Sequence, residues 1–207
     1  MIYFDAKIRF QNQFLFPYFV FFKKNSLKPK RIVLTGGPGT GKSSIITKLE
    51  SYGYPCLEEI SRKITLQAKA EGINQLFLEK PLLFSQLLLD GRILQYNEGQ
   101  KHENNFVFYD RGMHDVVAYL DYFQTEYPKG FQNACKQHPY DLVFILPPWE
   151  EIYIQDNERY ENFEEAKKIH NYLERTYKNY AYIPIEVPRL TLEARVEFIL
   201  EKISHKV

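Results

Sequence analysis

Eight consecutive residues, Gly36-Gly37-Pro38-Gly39-Thr40-Gly41-Lys42-Ser43, have the types and order that a polyphosphate needs around it. They satisfy GxxxxGK[ST], with a strand-like run before them and a helix-like run after. The glycines let the backbone curl until successive N–H groups point at one anion. A helix starting near Gly41 adds its free N–H groups and the positive end of its dipole. Lys42 is a flexible point charge able to follow the β- and γ-phosphates, the Ser43 hydroxyl is a Mg2+ ligand of the right kind, and Ser44 completes the set. The segment predicts a bound nucleoside triphosphate, ATP or GTP, with Mg2+.

Further chemistry collects at the ends of other apolar runs. Phe106-Val107-Phe108-Tyr109-Asp110 puts an acid at the carboxyl end of a buried strand, where an α/β sheet receives its ligands and where a carboxylate reaches the Mg2+ shell. The next residue is Arg111, whereas ATP-driven motors carry a water-activating Glu there, and no NKxD guanine-reading motif occurs. An Asp-Arg pair suits a phosphotransferase, with Asp110 on metal or substrate hydroxyl and Arg111 on phosphate. The alternative is Asp110 as a helix cap with Arg111 as its surface partner. Glu59 follows the second strand-like run, where a carboxylate can take a proton from a substrate hydroxyl. An acidic first helical turn explains it equally well, although Arg62, three residues on, lies on the same helix face. Asp115 reads either as a helix cap or as a substrate contact. Arg159, the only basic residue between Pro147 and Ala166, is either a lid residue that stabilises developing phosphoryl charge or a surface arginine paired with acidic neighbours. Arg92 lies on a long helix, where arginines are common. Nothing in Val187-Pro188-Arg189-Leu190 distinguishes adenine from guanine.

Short apolar runs alternating with helical ones position these residues. Strands are expected at Arg31–Thr35, Tyr54–Leu57, Phe106–Tyr109, Leu142–Leu146 and Ile183–Val187. Helices are expected at Gly41–Ser51, Glu59–Ala70, Pro81–Tyr96, His114–Phe123, Phe163–Tyr180 and Thr191–Ile203. This spacing predicts βαβ units: a three-layer α/β domain over residues 30–207, with a parallel sheet of about five strands covered on both faces.

The bulk composition excludes several classes. The 27 basic and 26 acidic residues nearly cancel, which argues against a partner as highly charged as nucleic acid. Two cysteines, Cys56 and Cys135, without CxxC spacing, and five scattered histidines indicate neither a disulfide framework nor a structural metal. The longest apolar run, Phe14–Phe22, is interrupted by Pro17 and falls short of the ~20 residues of a membrane-spanning helix. Without signal-peptide features either, the expected location is the cytoplasm. Residues 1–29, rich in aromatics, form an extension whose reading is open among a packed arm, a membrane-surface contact and a poorly ordered tail.

Taken together, GGPGTGKSS, the Glu-Glu-x-x-Arg stretch, YDRGMHDVVAYL, LPPWEEIYIQDNERYE and IEVPRLTLEARVEFIL resemble the NadR-like AAA ATPase domain family over about residues 30–204. That family contains small P-loop proteins related to the nicotinamide riboside kinase domain. The resemblance implies a nucleoside-kinase-like P-loop fold with ATP or GTP bound. It carries Gly36–Ser43 and Asp110 into nucleotide and metal binding, and Glu59, Arg111 and Arg159 into catalysis. The expected function is Mg2+-dependent phosphoryl transfer to a small hydroxyl-bearing, nucleoside-like acceptor. The alternative is a nucleotide-dependent regulatory switch, or a slow NTPase, acting through a protein or membrane partner.

Overall fold

Every strand-like run becomes a strand, and all five lie parallel in one sheet of order β2-β3-β1-β4-β5. The structure, a computed structural model, describes residues 28–73, 75–153 and 162–204. Nearly all of the expected N-terminal extension, and Arg159, lie outside the described residues. The strands are β1 (Lys30–Gly36), β2 (Cys56–Leu57), β3 (Phe106–Asp110), β4 (Leu142–Leu146) and β5 (Ile185–Glu186). The helices are α1 (Lys42–Ser51), α2 (Ile60–Ala70), α3 (Leu76–Glu79), α4 (Pro81–Gly99), α5 (Met113–Tyr122), α6 (Lys129–Gln137), α7 (Phe163–Asn179) and α8 (Leu192–Ser204). Among the described residues no helix is long and apolar enough to cross a membrane.

The period of two along each strand divides the core into two faces. Ile32 and Leu34 of β1, Phe108 of β3, and Phe144 and Leu146 of β4 pack with Ile45 and Leu49 of α1 and Val196, Ile199 and Ile203 of α8. Val33, Val107, Tyr109 and Val143 point the other way, into Leu89 and Tyr96 of α4, Val117 and Leu120 of α5, Phe131 of α6 and Tyr177 of α7. The sheet is therefore the middle of three layers. β1 lies between β3 and β4, and the chain builds β2 and β3 to one side of it before crossing to build β4 and β5 on the other. That switch leaves a crevice beyond the strands' carboxyl ends. In register, Leu34 stands beside Asp110 and Gly36 beside Leu146, so the phosphate loop and the acid of β3 emerge at one edge.

Two helices were not anticipated. α3 is a single turn, too short to show a period. α6 is nine mostly polar residues whose apolar side is Phe131, Ala134 and Cys135, well placed on one face but too brief to stand out, with Gly130 in its first turn. Both short edge strands, β2 and β5, are narrower than their apolar runs, since an edge ladder has one partner only.

Phe108 is wholly buried in the middle of the α1–α8 face, edge-on to Tyr54 at 5.6 Å. Phe108→Ala is expected to cost about 3–5 kcal/mol. Equilibrium urea denaturation should show a lower midpoint with the slope preserved.

Candidate active site

The loop between β1 and α1 turns on Gly39 and Gly41, whose φ values of 72° and 78° lie in the left-handed region. A Cβ at Gly39 would stand 2.5 Å from the Tyr153 ring, so a side chain is excluded there by contact as well as by conformation. Gly41 is the N-cap of α1 and has no side chain to satisfy the first-turn N–H groups, which stay available to an anion. Thr40 braces the turn by donating its hydroxyl to the Gly37 carbonyl at 3.0 Å. A cradle of this shape fits a polyphosphate. Ser43 is exposed in the first helical turn, in keeping with a hydroxyl that meets a ligand.

Lys42 and Asp110 are both buried and pair at 2.7 Å between Nζ and Oδ1. Glu59 Oε2 lies 3.9 Å from the same ammonium, and Glu59 Oε1 accepts from Arg111 Nε at 2.8 Å. The expected positions from three separate strand ends thus converge into one chain of alternating charge. Burial by itself would raise the Glu59 pKa; Arg111, Lys42 and Arg92 outweigh burial and hold the carboxyl well below the usual range. The sequence pointed to Arg62 as the supporting cation, whereas in the structure Arg111 and Lys42 hold Glu59.

Arg111 itself adopts φ 70°, a conformation that costs a non-glycine residue roughly 1 kcal/mol or more. The turn sends its side chain back over the end of β1, where Nη1 donates to the Gly36 carbonyl at 2.9 Å, while its own N–H bonds the Leu34 carbonyl at 3.0 Å. Arg111 is therefore an inward-facing residue and not the surface partner of a helix cap. Burial opposes its charge; Tyr119, Glu59, Asp115 and Asp110 more than restore it.

Asp115 is 1% exposed and is both cap and anchor. Its Oδ2 accepts from the Gly112 N–H at 2.8 Å, which caps α5, and from the Tyr177 hydroxyl at 2.6 Å. Its Oδ1 accepts from the Thr35 hydroxyl at 2.6 Å and faces Arg111 Nη1 at 3.5 Å. Four donors leave it little capacity for a substrate; it fixes the strand end, the helix start and the guanidinium relative to one another. Beside it, His114 is wholly enclosed by Tyr140, Tyr177, Tyr180 and Tyr182. Desolvation lowers its pKa to about 4 despite the nearby Asp115 charge, so the ring is neutral at ordinary pH.

Two buried arginines complete the site. Arg92 of α4 is 2% exposed and donates Nη1 to the Asp110 carbonyl at 3.1 Å. Arg195 of α8 donates Nη2 to the Thr40 carbonyl at 2.7 Å, gripping the phosphate loop from behind. Sequence reasoning passed over Arg195, although one signal marked it. It shares the stripe of Leu192, Val196, Ile199 and Ile203, where a surface helix should be apolar. Adjoining the loop is a cavity of about 310 Å³. Pro38 of the loop, Glu59, Arg92 and Arg111 are among its lining residues, together with the apolar and aromatic Phe77, Phe84, Leu88, Tyr119 and Phe123.

Residues 31–195 match the AAA domain family. The chain belongs to that family. No curated protein matches it in sequence. Among solved structures it is similar to deoxyadenosine kinase from M. mycoides with the products dCMP and a flexible dCDP bound. That likeness has 19% identity and a TM-score of 0.64, over 84% of this chain and 99% of that one. The same kinase with bound dATP gives a TM-score of 0.61 at 19% identity, with the same coverage. NadR protein in complex with NR gives 0.63 at 19% identity, over 86% of this chain but 50% of the longer NadR chain. The shared architecture is the P-loop NTPase fold, with a parallel five-stranded sheet between helices.

The neutral state of His114 generates a pH dependence. An unfolded chain takes up a proton at His114 near its ordinary value of 6.5, while the native state takes it up only near 4. Below 6.5 the unfolded state binds more protons, so stability falls as pH drops from 6.5 to 4, by about 3 kcal/mol for this group. His170, also lowered by burial, acts in the same sense. Chemical denaturation at pH 7 and pH 5 should show a smaller loss of stability on acidification for His114→Phe than for the parent chain.

Proposed function

We propose that this AAA-domain protein is a Mg2+-dependent phosphotransferase that moves the γ-phosphoryl group of ATP to a hydroxyl of a small, nucleoside-like acceptor. The observation that carries the proposal is Glu59, whose carboxylate stands between the Lys42 ammonium and the cavity. One side of it faces the donor's cradle and the other faces space for an acceptor. A carboxylate in that place can take the proton of an acceptor hydroxyl. Solved structures that share the fold hold dATP in one case and NAD with AMP-PNP in another, in keeping with a nucleotide in this one.

The reaction asks the protein mainly for position and charge. Lys42 exchanges part of its contact with Asp110 and Glu59 for the β- and γ-phosphate oxygens, and Arg111 meets the transferring group from the opposite side. As these cations turn to the polyphosphate, Glu59 loses the charges that hold its pKa down, and its affinity for a proton rises. It then accepts the acceptor's hydroxyl proton while the hydroxyl oxygen bonds to phosphorus and the bond to the bridging oxygen breaks, releasing ADP. Ser43 and Asp110 have the donor chemistry for Mg2+, which when bound offsets negative charge on the phosphate oxygens. Aromatic rings lining the cavity suit a flat heterocycle and help to keep water from the phosphoryl group. Arg159, outside the described residues, is our candidate for a further cation over the transferring group.

ATP turnover with a panel of nucleosides, vitamins and sugars tests this reading. One compound should raise turnover and appear as its phosphate ester. Lys42→Ala should abolish the stimulated rate. Glu59→Gln should lower kcat by about 10²-fold or more while ATP affinity changes little. Full activity in Glu59→Gln would remove Glu59 as the base, and slow turnover that no acceptor stimulates would favour the regulatory switch.

A further inference from the structure

Arg195 is the least expected charge in the protein. It is 4% exposed on a helix face that otherwise builds the core, and its Nε has no hydrogen-bond partner. Among the described residues no carboxylate forms an ion pair with it. What it does touch is the phosphate loop: Nη2 donates to the Thr40 carbonyl at 2.7 Å, and Nη1 stands 2.8 Å from where a Gly41 Cβ would be. The Trp149 ring covers the guanidinium at 5.7 Å.

Each of these facts makes the charge costly in the protein alone. A buried guanidinium without a counter-ion loses hydration that one carbonyl and one ring restore only in part. Desolvation accordingly lowers its pKa. Its location aggravates the cost, because Gly41 is the N-cap of α1 and a cation there opposes the helix dipole. An apolar residue would match the rest of the stripe, Leu192, Val196, Ile199 and Ile203, at no such cost. The arrangement becomes favourable when an anion lies on the other side of the loop.

We infer that Arg195 is a positioning residue of the phosphate loop, a buried cation behind the cradle whose missing counter-charge is the bound polyphosphate. It fixes the Thr40 carbonyl, so that the loop's N–H groups stay turned toward the ligand. Its field, weakly screened because the group is buried, adds to that of Lys42. This rests on the nucleotide reading of the loop, but not on the identity of the acceptor or on phosphoryl transfer.

Arg195→Met keeps much of the stem and removes the charge; Arg195→Lys keeps a charge. Calorimetric titration of the full chain with ATP, AMP, adenosine and inorganic tripolyphosphate, together with thermal unfolding without ligand, tests the inference. Arg195→Met should bind ATP and tripolyphosphate about tenfold to a hundredfold more weakly. AMP should lose less and adenosine nothing, and Arg195→Lys should recover part of the affinity. The ligand-free Arg195→Met protein should unfold at the same temperature as the parent or higher. Undiminished ATP affinity in Arg195→Met would overturn the inference. So would a lower ligand-free Tm joined to equal losses for every ligand, which would mark Arg195 as structural only. If the parent itself bound neither ATP nor tripolyphosphate, the nucleotide reading would fall and the inference with it. Phosphate-dependent binding without phosphoryl transfer would leave Arg195 in place and remove only the kinase.

Discussion

The buried pair between Lys42 and Asp110 is the constraint around which the edge of the sheet is organised. Two opposite charges 2.7 Å apart and almost out of water attract strongly, but each has given up its hydration to be there. Such a pair is weak evidence for stability and a costly place to remove one partner, since the survivor remains buried and unpaired. Its value lies in what it fixes. Asp110 belongs to β3 and Lys42 to the first turn of α1, so holding them together locks the phosphate loop against a neighbouring strand. Glu59 then has one place to go, between Lys42 and Arg111, and α2 starts from there.

Arg111 shows how the same edge stores strain. A left-handed arginine at the end of β3 is held by bonds to Leu34, Gly36 and Glu59, with Asp115 close behind. These contacts over-determine the turn, and without the strained φ the guanidinium would leave with the chain toward α5 and not fold back over β1. Arg92 adds a third grip by bonding the Asp110 carbonyl from α4. The protein therefore presents cations and carboxylates in alternation, each kept in place by a neighbour of opposite sign. On the proposed phosphotransferase reading, such a network exchanges internal partners for the oxygens of a polyphosphate.

What could be read from the sequence follows from how local each signal is. The phosphate loop needed only eight adjacent residues and the runs beside them, Asp110 needed the rule that ligands gather at the carboxyl ends of parallel strands, and Glu59 needed that rule and the nearness of Arg62, in whose place the structure sets Arg111 and Lys42. The five strands were legible as short apolar runs and the long helices as the longer patterned stretches between them. Partners were not legible, because Glu59 meets Arg111 and Arg195 meets Thr40 across long stretches of chain, through topology. Asp115 was ambiguous for the same reason: its capping bond to Gly112 is local, while its bonds to Thr35 and Tyr177 require β1 and α7 to be packed around it. α6 escaped because its nine residues are mostly polar: Phe131, Ala134 and Cys135 do share one helical face, but three apolar positions over two turns are too short a run to stand out.

Four tyrosines find their place behind this edge. Tyr140, Tyr177, Tyr180 and Tyr182 surround His114, and Tyr177 passes its hydroxyl proton toward Asp115 as a hydrogen bond. A charged imidazole at position 114 would compete with Arg111 for the Asp115 carboxylate. The rings exclude the water that would support that charge, and the histidine stays neutral down to about pH 4. Asp115 is thereby left to the arginine, and the arginine to the site. A core of tyrosines serves this purpose better than one of leucines. Each ring excludes water as an aliphatic chain does, while the Tyr182 hydroxyl accepts from the Tyr140 N–H and the Tyr177 hydroxyl adds a donor to Asp115.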